Sequence, residues 1–289
     1  MEKDMDKGRQ LWQSQNFLKR PEFVSRLVEM ADISNKDLVV EIGPGKGVIT
    51  RQLADVAEKV IAIELDPKLA KELKTQFQDA ENVTIIEKDF FNWRLPNENY
   101  KVFSNIPFNM TADIIKRLTE FSNSPEILYL IMQDKALERF AGEKEESQIS
   151  LLLKPWFEFR IVTNIERSEF NPRPNVNTVL AEIRKRDEPF VDPKLSQNYR
   201  DFIIFGFNQW KPTLIDAYGD IFSHKQKKIV EGRLKIKGKK PTELTFDQWL
   251  DLFKTYNNYV SDKKKGIIRG AEKRLEKSHK KHKKWHRTR

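Results

Sequence analysis

The chain has 289 residues, of which 38% are hydrophobic and 33% are charged, so it can bury a substantial core beneath a highly polar surface. It contains no cysteine, which excludes disulfides, thiolate metal sites and cysteine nucleophiles. No run approaches the roughly 20 apolar residues of a membrane-spanning helix, and the N-terminal sequence lacks the apolar stretch of a signal peptide. We therefore expect a cytoplasmic protein without a membrane partner.

The first half of the chain alternates short apolar runs with amphipathic segments. Five strands separated by helical patterns are expected at 37–42, 59–65, 83–88, 101–104 and 127–132. This alternation predicts a parallel sheet that is covered by helices on both faces. The later segments 156–162 and 178–184 are expected to close the sheet as antiparallel edge strands.

After Lys185 the sequence changes to helical segments with broad aromatic faces. A capping box formed by Thr245 and Gln248 begins one of them, and Trp249 and Phe253 lie four residues apart on its expected core face. The chain is therefore expected to consist of an α/β domain, a small helical domain and a basic tail, at 1–185, 186–260 and 261–289.

The positive charge is concentrated in this tail. The whole chain carries a net charge of +10, and residues 261–289 alone hold thirteen Lys or Arg and three acidic residues. Such a run can be only a solvated, disordered segment, or it can bind a polyanion electrostatically without reading its sequence, and in that case Trp285 could stack on an exposed base. Three of the four histidines lie here without acidic or sulfur partners, so no metal site is predicted. Truncation after Val260 is expected to leave folding intact.

Ligands of a parallel sheet bind outside the carboxyl ends of its strands. The first strand is followed by the glycines of GPGKG at 43–47, which permit close approach of a ligand, although such a loop can also be only a tight turn. Glu64 ends the second strand 21 residues after Gly43, a spacing that suits a carboxylate accepting both hydroxyls of a ribose. Asp89 follows the third strand and is positioned to accept an adenine amine. Because no P-loop is present, these residues favour a dinucleotide or S-adenosylmethionine.

The fourth strand ends in an asparagine, a proline and an aromatic residue. An exocyclic purine amine is a poor nucleophile, since its lone pair is delocalised into the ring. If Asn105 Oδ1 and the carbonyl of Ile106 or Pro107 accept its N–H groups, the nitrogen can become pyramidal and attack a methyl group. Pro107 would stiffen this turn, and Phe108 offers a stacking face for a flipped-out base. A simple Asx-Pro turn would not explain Phe108, so the turn favours S-adenosylmethionine over a dinucleotide.

Five motifs, in this order and spacing, resemble the ribosomal RNA adenine-N6 methyltransferases over about residues 10–185. They are QNFL at 15–18, EIGPGKG at 41–47, IELD at 63–66, KDF at 88–90 and NIPF at 105–108. NIPF is similar to the Erm branch, which methylates an adenine of 23S rRNA and confers resistance to macrolide, lincosamide and streptogramin B antibiotics. QWKPTL at 209–214 stands where the small-subunit enzymes usually carry paired arginines.

The resemblance implies an α/β fold: a Rossmann-like S-adenosylmethionine-dependent methyltransferase domain, followed by a helical RNA-binding domain and an RNA-binding tail. It assigns the cofactor site to Asn16, Leu18, Gly43, Glu64, Asp89 and Asn105. Asn16 and Leu18 would close over the methionine part, and Gly43 would underlie it. Phe170, which opens FNPRPNV, would be a second stacking face opposite Phe108, although from the sequence alone Phe170 would belong to the core.

The expected function is thus mono- or dimethylation of an adenine in 23S rRNA, without a metal or an obligate protein partner. Two alternatives stay open, namely a 16S rRNA adenine dimethyltransferase and a non-catalytic ribosome-assembly factor on the same scaffold. An NAD-dependent oxidoreductase is disfavoured by the NIPF turn.

Overall fold

In the computed structural model, residues 16–119 and 123–285 are described, with the backbone alone for 279–285. The described strands are β1 (Phe17–Leu18), β2 (Leu38–Ile42), β3 (Lys59–Glu64), β4 (Val83–Glu87), β5 (Lys101–Asn105), β6 (Ile127–Gln133), β7 (Phe157–Ile165), β8 (Phe170–Asn171) and β9 (Thr178–Lys185). The described helices are α1 (Pro21–Glu29), α2 (Val48–Ala54), α3 (Pro67–Gln76), α4 (Thr111–Thr119), α5 (Asp134–Ala141), α6 (Gln148–Leu153), α7 (Ser196–Phe207), α8 (Leu214–Ala217), α9 (His224–Leu234), α10 (Phe246–Tyr259), α11 (Asp262–Ile268) and α12 (Ala271–Trp285). None of the described helices is long and apolar enough to cross a bilayer.

The chain divides into two compact units. The first comprises the described residues up to Leu137 together with Phe157–Lys185, and the second comprises Glu138–Trp156 together with the residues from Arg186 onward. This division differs from the expected boundary at 185, because α6 contributes Leu151 to the hydrophobic core of the second unit. We refer to the two as the sheet unit and the helical unit.

The sheet unit is built around seven strands in the order β4-β3-β2-β5-β6-β9-β7. The strands from β4 to β6 in this order pair in parallel, as the alternating pattern predicts. The order along the sheet reverses between β2 and β5, so the carboxyl ends of these two strands diverge. Such a switch point is where open α/β sheets bind ligands.

The last two strands correct the predicted edge of the sheet. β9 lies between β6 and β7 and is antiparallel to both, so it is internal and only β7 forms the edge. The physical reason is hydrophobic burial: six consecutive residues of β9 are buried, whereas most residues of β7 keep some exposure. A short separate sheet pairs β1 with β8 in antiparallel register.

Aromatic side chains fill the core of the helical unit, as its sequence predicts. Trp249 and Phe253 are buried on α10, and the rings of Phe202 and Tyr218 stack with their centroids 4.7 Å apart. The capping box that begins α10 is present, with Thr245 and Gln248 bonded reciprocally.

The first part of the basic tail is helical rather than flexible. α11 and α12 are docked because Ile268 and Ala271 are buried in the core of the helical unit. The buried carboxylate of Asp201 also accepts hydrogen bonds from the N–H groups of Gly270 at 2.7 Å and Glu272 at 2.9 Å. Removal of the tail at Val260 therefore carries a cost that the sequence did not indicate. The Trp285 side chain, which we expected to stack on a base, lies outside the described side chains.

We predict that a chain ending at Val260 is less stable than one ending at Ser278. The shorter chain loses the burial of Ile268, which contributes about 1.5–3 kcal/mol, together with the two hydrogen bonds that Asp201 accepts from Gly270 and Glu272. Its melting temperature, measured by circular dichroism, should fall by at least about 4 °C, whereas the longer chain should melt within about 2 °C of the full protein. Equal melting temperatures for the two truncated chains would contradict docking of α11 and α12.

Candidate active site

The loop after β2 adopts a conformation that requires glycine. Gly43, Gly45 and Gly47 have φ angles of 67°, 58° and 76°, in the left-handed region. A Cβ atom at Gly45 would lie only 2.7 Å from the Phe17 ring, so this ring packs directly against the loop. The N–H of Gly43 donates to Ile63 O at 2.9 Å, which fixes the loop to the end of β3. The glycine loop at the switch point thus has its backbone held at the end of β3 and the Phe17 ring packed against it.

Glu64 ends β3 beside this loop with only 4% of its surface exposed. Its Oε2 accepts the N–H of Gly45 at 3.2 Å, and its Oε1 accepts the N–H of Asp66 at 2.9 Å. Burial raises the pKa of Glu64, and the backbone N–H groups offset part of this effect. Each carboxylate oxygen keeps a second lone pair, so the group can accept the two hydroxyls of a ribose.

Asp89 follows β4 and is fixed by a single turn of 3-10 helix. Its Oδ1 accepts the N–H of Phe91 at 2.9 Å, and its Oδ2 accepts Nδ2 of Asn92 at 3.1 Å. Phe90 is buried beneath, edge-to-face with Phe91 at a centroid distance of 5.4 Å. The sequence-predicted combination of a carboxylate and an apolar wall is therefore present at this strand end.

Asn105 ends β5, and its amide has a defined orientation. Nδ2 donates to Asn16 O at 2.7 Å, and because a carbonyl can only accept, the nitrogen must face Asn16. Oδ1 receives no hydrogen bond from any residue that the structure describes. Ser104 Oγ donates to Ile42 O at 2.6 Å and ties the end of β5 to the end of β2. The side chain of Asn105 thus emerges at the switch point with its oxygen free to accept.

The turn after Asn105 distinguishes the two carbonyls that the sequence left as alternatives. Pro107 O already accepts the N–H of Met110 at 2.9 Å, whereas within the described part of the chain no donor reaches Ile106 O. Phe108 is half-buried, and its carbonyl accepts Oγ1 of Thr111 at 3.0 Å. Ile106 O is therefore the better second acceptor, and the Phe108 ring keeps part of its surface open.

Phe170 does not offer an open ring. It is fully buried in the hydrophobic core of the sheet unit, and as part of β8 it pairs with Leu18 of β1. Arg20, just after β1, also forms an ion pair with Glu169, with its Nε 2.9 Å from Oε2. In this structure Phe170 therefore has the core position that its sequence alone indicates, rather than the stacking position that the resemblance implies.

Glu41 is a second buried acid at this site, and it was not among the cofactor-site residues expected from the sequence. It lies in β2 with 1% exposure, and Thr50 Oγ1 donates to its Oε2 at 2.6 Å. Full burial raises the pKa of Glu41 from 4.5 to about 8, a rise that the Thr50 hydroxyl reduces and the nearby Glu64 increases. The detectable signal was a carboxylate inside the apolar run DLVVEI.

The structure thus brings Asn16, Gly43, Glu64 and Asn105 together at one edge of the sheet, with Asp89 after the neighbouring strand β4. A sheet with one internal antiparallel strand, a glycine loop after β2 and an acid at the end of β3 defines the Rossmann-like methyltransferase class. The predicted fold class is confirmed.

Comparisons with known proteins give the same result and identify the family. The chain matches the family described as "Ribosomal RNA adenine dimethylase" over residues 7–258. An rRNA adenine N-6-methyltransferase of Bacillus licheniformis is 31% identical over 252 residues, which cover 85% of this chain and 86% of that protein. Ribosomal RNA small subunit methyltransferase A of Clostridium botulinum is 31% identical over 208 residues, covering 69% and 76% respectively.

Among solved structures, the crystal structure of the 23S rRNA methyltransferase ErmE matches with a TM-score of 0.74 at 25% sequence identity. The match covers 84% of this chain and 100% of that one. The chain therefore belongs to the ribosomal RNA adenine dimethylase family, a family of methyltransferases, as its five motifs predict.

We predict that Glu41→Gln removes a pH dependence of stability. Unfolded Glu41 titrates near 4.5 and folded Glu41 near 8, so folding takes up a proton between these values. Its contribution to stability is complete below pH 4.5 and is lost as the pH rises to about 8. The free energy of unfolding of the variant should therefore rise relative to that of the wild type by up to about 1.4 kcal/mol per pH unit between pH 5 and 8. Above pH 8 the difference should stay constant.

Urea unfolding at a series of pH values measures this difference. The exposed Glu58→Gln is the matched control and should follow the wild-type profile. Parallel profiles for Glu41→Gln and the wild type would show that Glu41 titrates normally in the folded protein.

Proposed function

We propose that this protein transfers one or two methyl groups from S-adenosylmethionine to N6 of an adenine in 23S rRNA. It would thereby confer resistance to macrolide, lincosamide and streptogramin B antibiotics, and would act in the cytoplasm with the ribosome. The observation that carries the proposal is the orientation of Asn105, whose Nδ2 is held by Asn16 O at 2.7 Å so that Oδ1 is left to accept a base amine. Family membership supports an adenine of rRNA as the substrate.

The residues at the switch point fit S-adenosylmethionine. The glycine loop carries no Cβ at three positions after β2, and the buried Glu64 carboxylate, beside the N–H of Gly45, would suit a ribose. Asp89 would accept the adenine amine of the cofactor, and Asn16 and Leu18 would cover its methionine part. The chemistry that this cofactor supplies when bound is an activated methyl group on a sulfonium sulfur.

The NIPF turn would activate the target amine. Asn105 Oδ1 and Ile106 O would accept the two N–H groups of N6, drawing the nitrogen lone pair out of conjugation with the ring. These fixed dipoles stabilise the positive charge that develops on N6 as it gains a methyl group, and the proton that N6 then loses can pass to water. Phe108 would stack on the flipped-out adenine. A stacking role for Phe170 would additionally require β8 to leave the core.

Two features favour 23S over 16S rRNA. The NIPF sequence resembles the Erm branch, and QWKPTL at 209–214 stands where the small-subunit enzymes usually carry paired arginines. The small-subunit enzyme of C. botulinum is nevertheless 31% identical, so a 16S rRNA dimethyltransferase is the second candidate. A non-catalytic assembly factor is the third, although it would have no need of an oriented Asn105.

We predict that Asn105→Ala lowers methyl transfer by about 100- to 1,000-fold, the effect of removing one preorganised hydrogen-bonding group from a transition state. RNA affinity should change less than threefold, because the lost contact concerns one amine of one base. Asn109→Ala, at an exposed position of the same turn, is the control and should retain wild-type transfer. If Asn105→Ala kept full activity, the turn would have another role.

We also predict which RNA is modified. Incubation with tritium-labelled S-adenosylmethionine and separately purified 16S and 23S rRNAs should label 23S rRNA at one adenine. Expression in a sensitive bacterium should then raise the inhibitory concentration of a macrolide, and expression of Asn105→Ala should not. Label in 16S rRNA alone would assign the protein to the small-subunit enzymes, and label in neither RNA would favour an assembly factor.

A further inference from the structure

One large aromatic side chain of the helical unit is fully exposed. Trp210 has 101% relative exposure, whereas Trp249 of the same unit has none. Trp210 lies between Gln209 and Lys211 in the connection from α7 to α8. Its indole contributes no burial to the fold, so stability does not account for a tryptophan at this position.

The backbone on both sides of Trp210 is fixed. On one side, Asn208 Nδ2 donates to Ile204 O at 2.8 Å at the end of α7. On the other side, Thr213 caps α8, and its Oγ1 accepts the N–H of Asp216 at 3.2 Å. The indole is therefore presented from a short, anchored loop, which lowers the entropic cost of binding a partner.

A lysine-rich loop lies directly beside this one. The N–H of Leu214 donates to Lys239 O at 2.9 Å, and the buried Ile236 anchors the loop 235–240 in the core. No described residue forms an ion pair with the ammonium groups of Lys211, Lys235, Lys237, Lys239 and Lys240. We define the Trp210 surface as Trp210, Lys211 and the loop 235–240.

An aromatic face flanked by unpaired cations suits single-stranded nucleic acid. Every base has a face that can stack on an indole, and neighbouring phosphates attract lysines. In a double helix the base faces are covered by stacking, so Trp210 could contact only an unpaired nucleotide. An anionic membrane would instead require further apolar side chains beside Trp210, and its chain neighbours Gln209 and Lys211 are polar.

We propose that the Trp210 surface binds an unpaired segment of RNA, stacking one base on the indole and contacting the flanking phosphates through the lysines. This inference rests on the proposed function for the identity of the RNA as rRNA, and it adds an RNA contact made by the helical unit. The surface would hold an exposed loop of the substrate irrespective of which adenine is methylated.

Fluorescence anisotropy with two labelled RNAs tests the proposal, one a single-stranded 12-mer and the other a fully paired hairpin closed by a non-nucleotide linker. Trp210→Ala should weaken binding of the single strand by about 5- to 100-fold, the loss of one base stack, and should change hairpin binding less than twofold. Trp210→Phe should recover most of the affinity. The double variant Lys237→Gln, Lys240→Gln should reduce the salt dependence of binding to both RNAs.

Tyr259→Ala is the matched control. Tyr259 is also largely exposed, but it ends the 14-residue helix α10 and does not belong to the Trp210 surface. It should leave both affinities unchanged, and all variants should melt at the wild-type temperature. The proposal would be overturned if Trp210→Ala bound the single-stranded RNA as tightly as the wild type, or if it lost affinity equally for the single strand and the hairpin. It would also be overturned if Trp210→Ala lost binding to phosphatidylserine vesicles while it kept the RNA affinity of the wild type. Because no methyl transfer is measured, a failure of the proposed activity would be seen separately.

Discussion

The site depends on the divergence of β2 and β5 at the centre of the sheet. Ser104 Oγ donates to Ile42 O, and this bond keeps the two strand ends together where their hydrogen-bonded pairing has stopped. The glycine loop leaves from one strand end and the NIPF turn leaves from the other. Without this bond the buried Ser104 hydroxyl would lack its partner, and the NIPF turn could shift relative to Glu64. The relative position of the two strand ends is thus set by a hydrogen bond between a buried serine side chain and a backbone carbonyl.

The two-stranded sheet of β1 and β8 also fixes the positions of residues in the candidate site. Asn16, at the start of β1, orients the Asn105 amide through its backbone carbonyl, and Phe17 covers the glycine loop. The partner strand β8 holds Phe170 in the core, and the ion pair of Arg20 with Glu169 fastens the two strands at their end. The same small sheet therefore orients the Asn105 amide, covers the glycine loop and keeps the Phe170 ring in the core.

Much of this organisation could be predicted from the sequence, because the alternation of strands and helices and the residues at strand ends follow local rules. The glycine loop, Glu64, Asp89 and Asn105 were found in this way. Packing between residues that are distant in the sequence could not be predicted in this way. The internal position of β9 depends on burial from both faces, and the start of α12 is held by Asp201, 69 residues before Gly270. Phe170 shows a different limit, because the pattern indicated core and only family resemblance suggested a role in stacking.

The non-contiguous make-up of the helical unit limits how it can be exchanged between proteins. Phe157–Lys185, which belongs to the sheet unit, separates Glu138–Trp156 from the remainder of the helical unit. The chain therefore passes between the two units three times. A fragment starting at Arg186 would lose Leu151, whose carbonyl accepts the buried Tyr199 hydroxyl at 2.9 Å. Gene fusion at one junction therefore cannot transplant this unit intact. A chimaera that exchanges the helical unit would have to graft both segments.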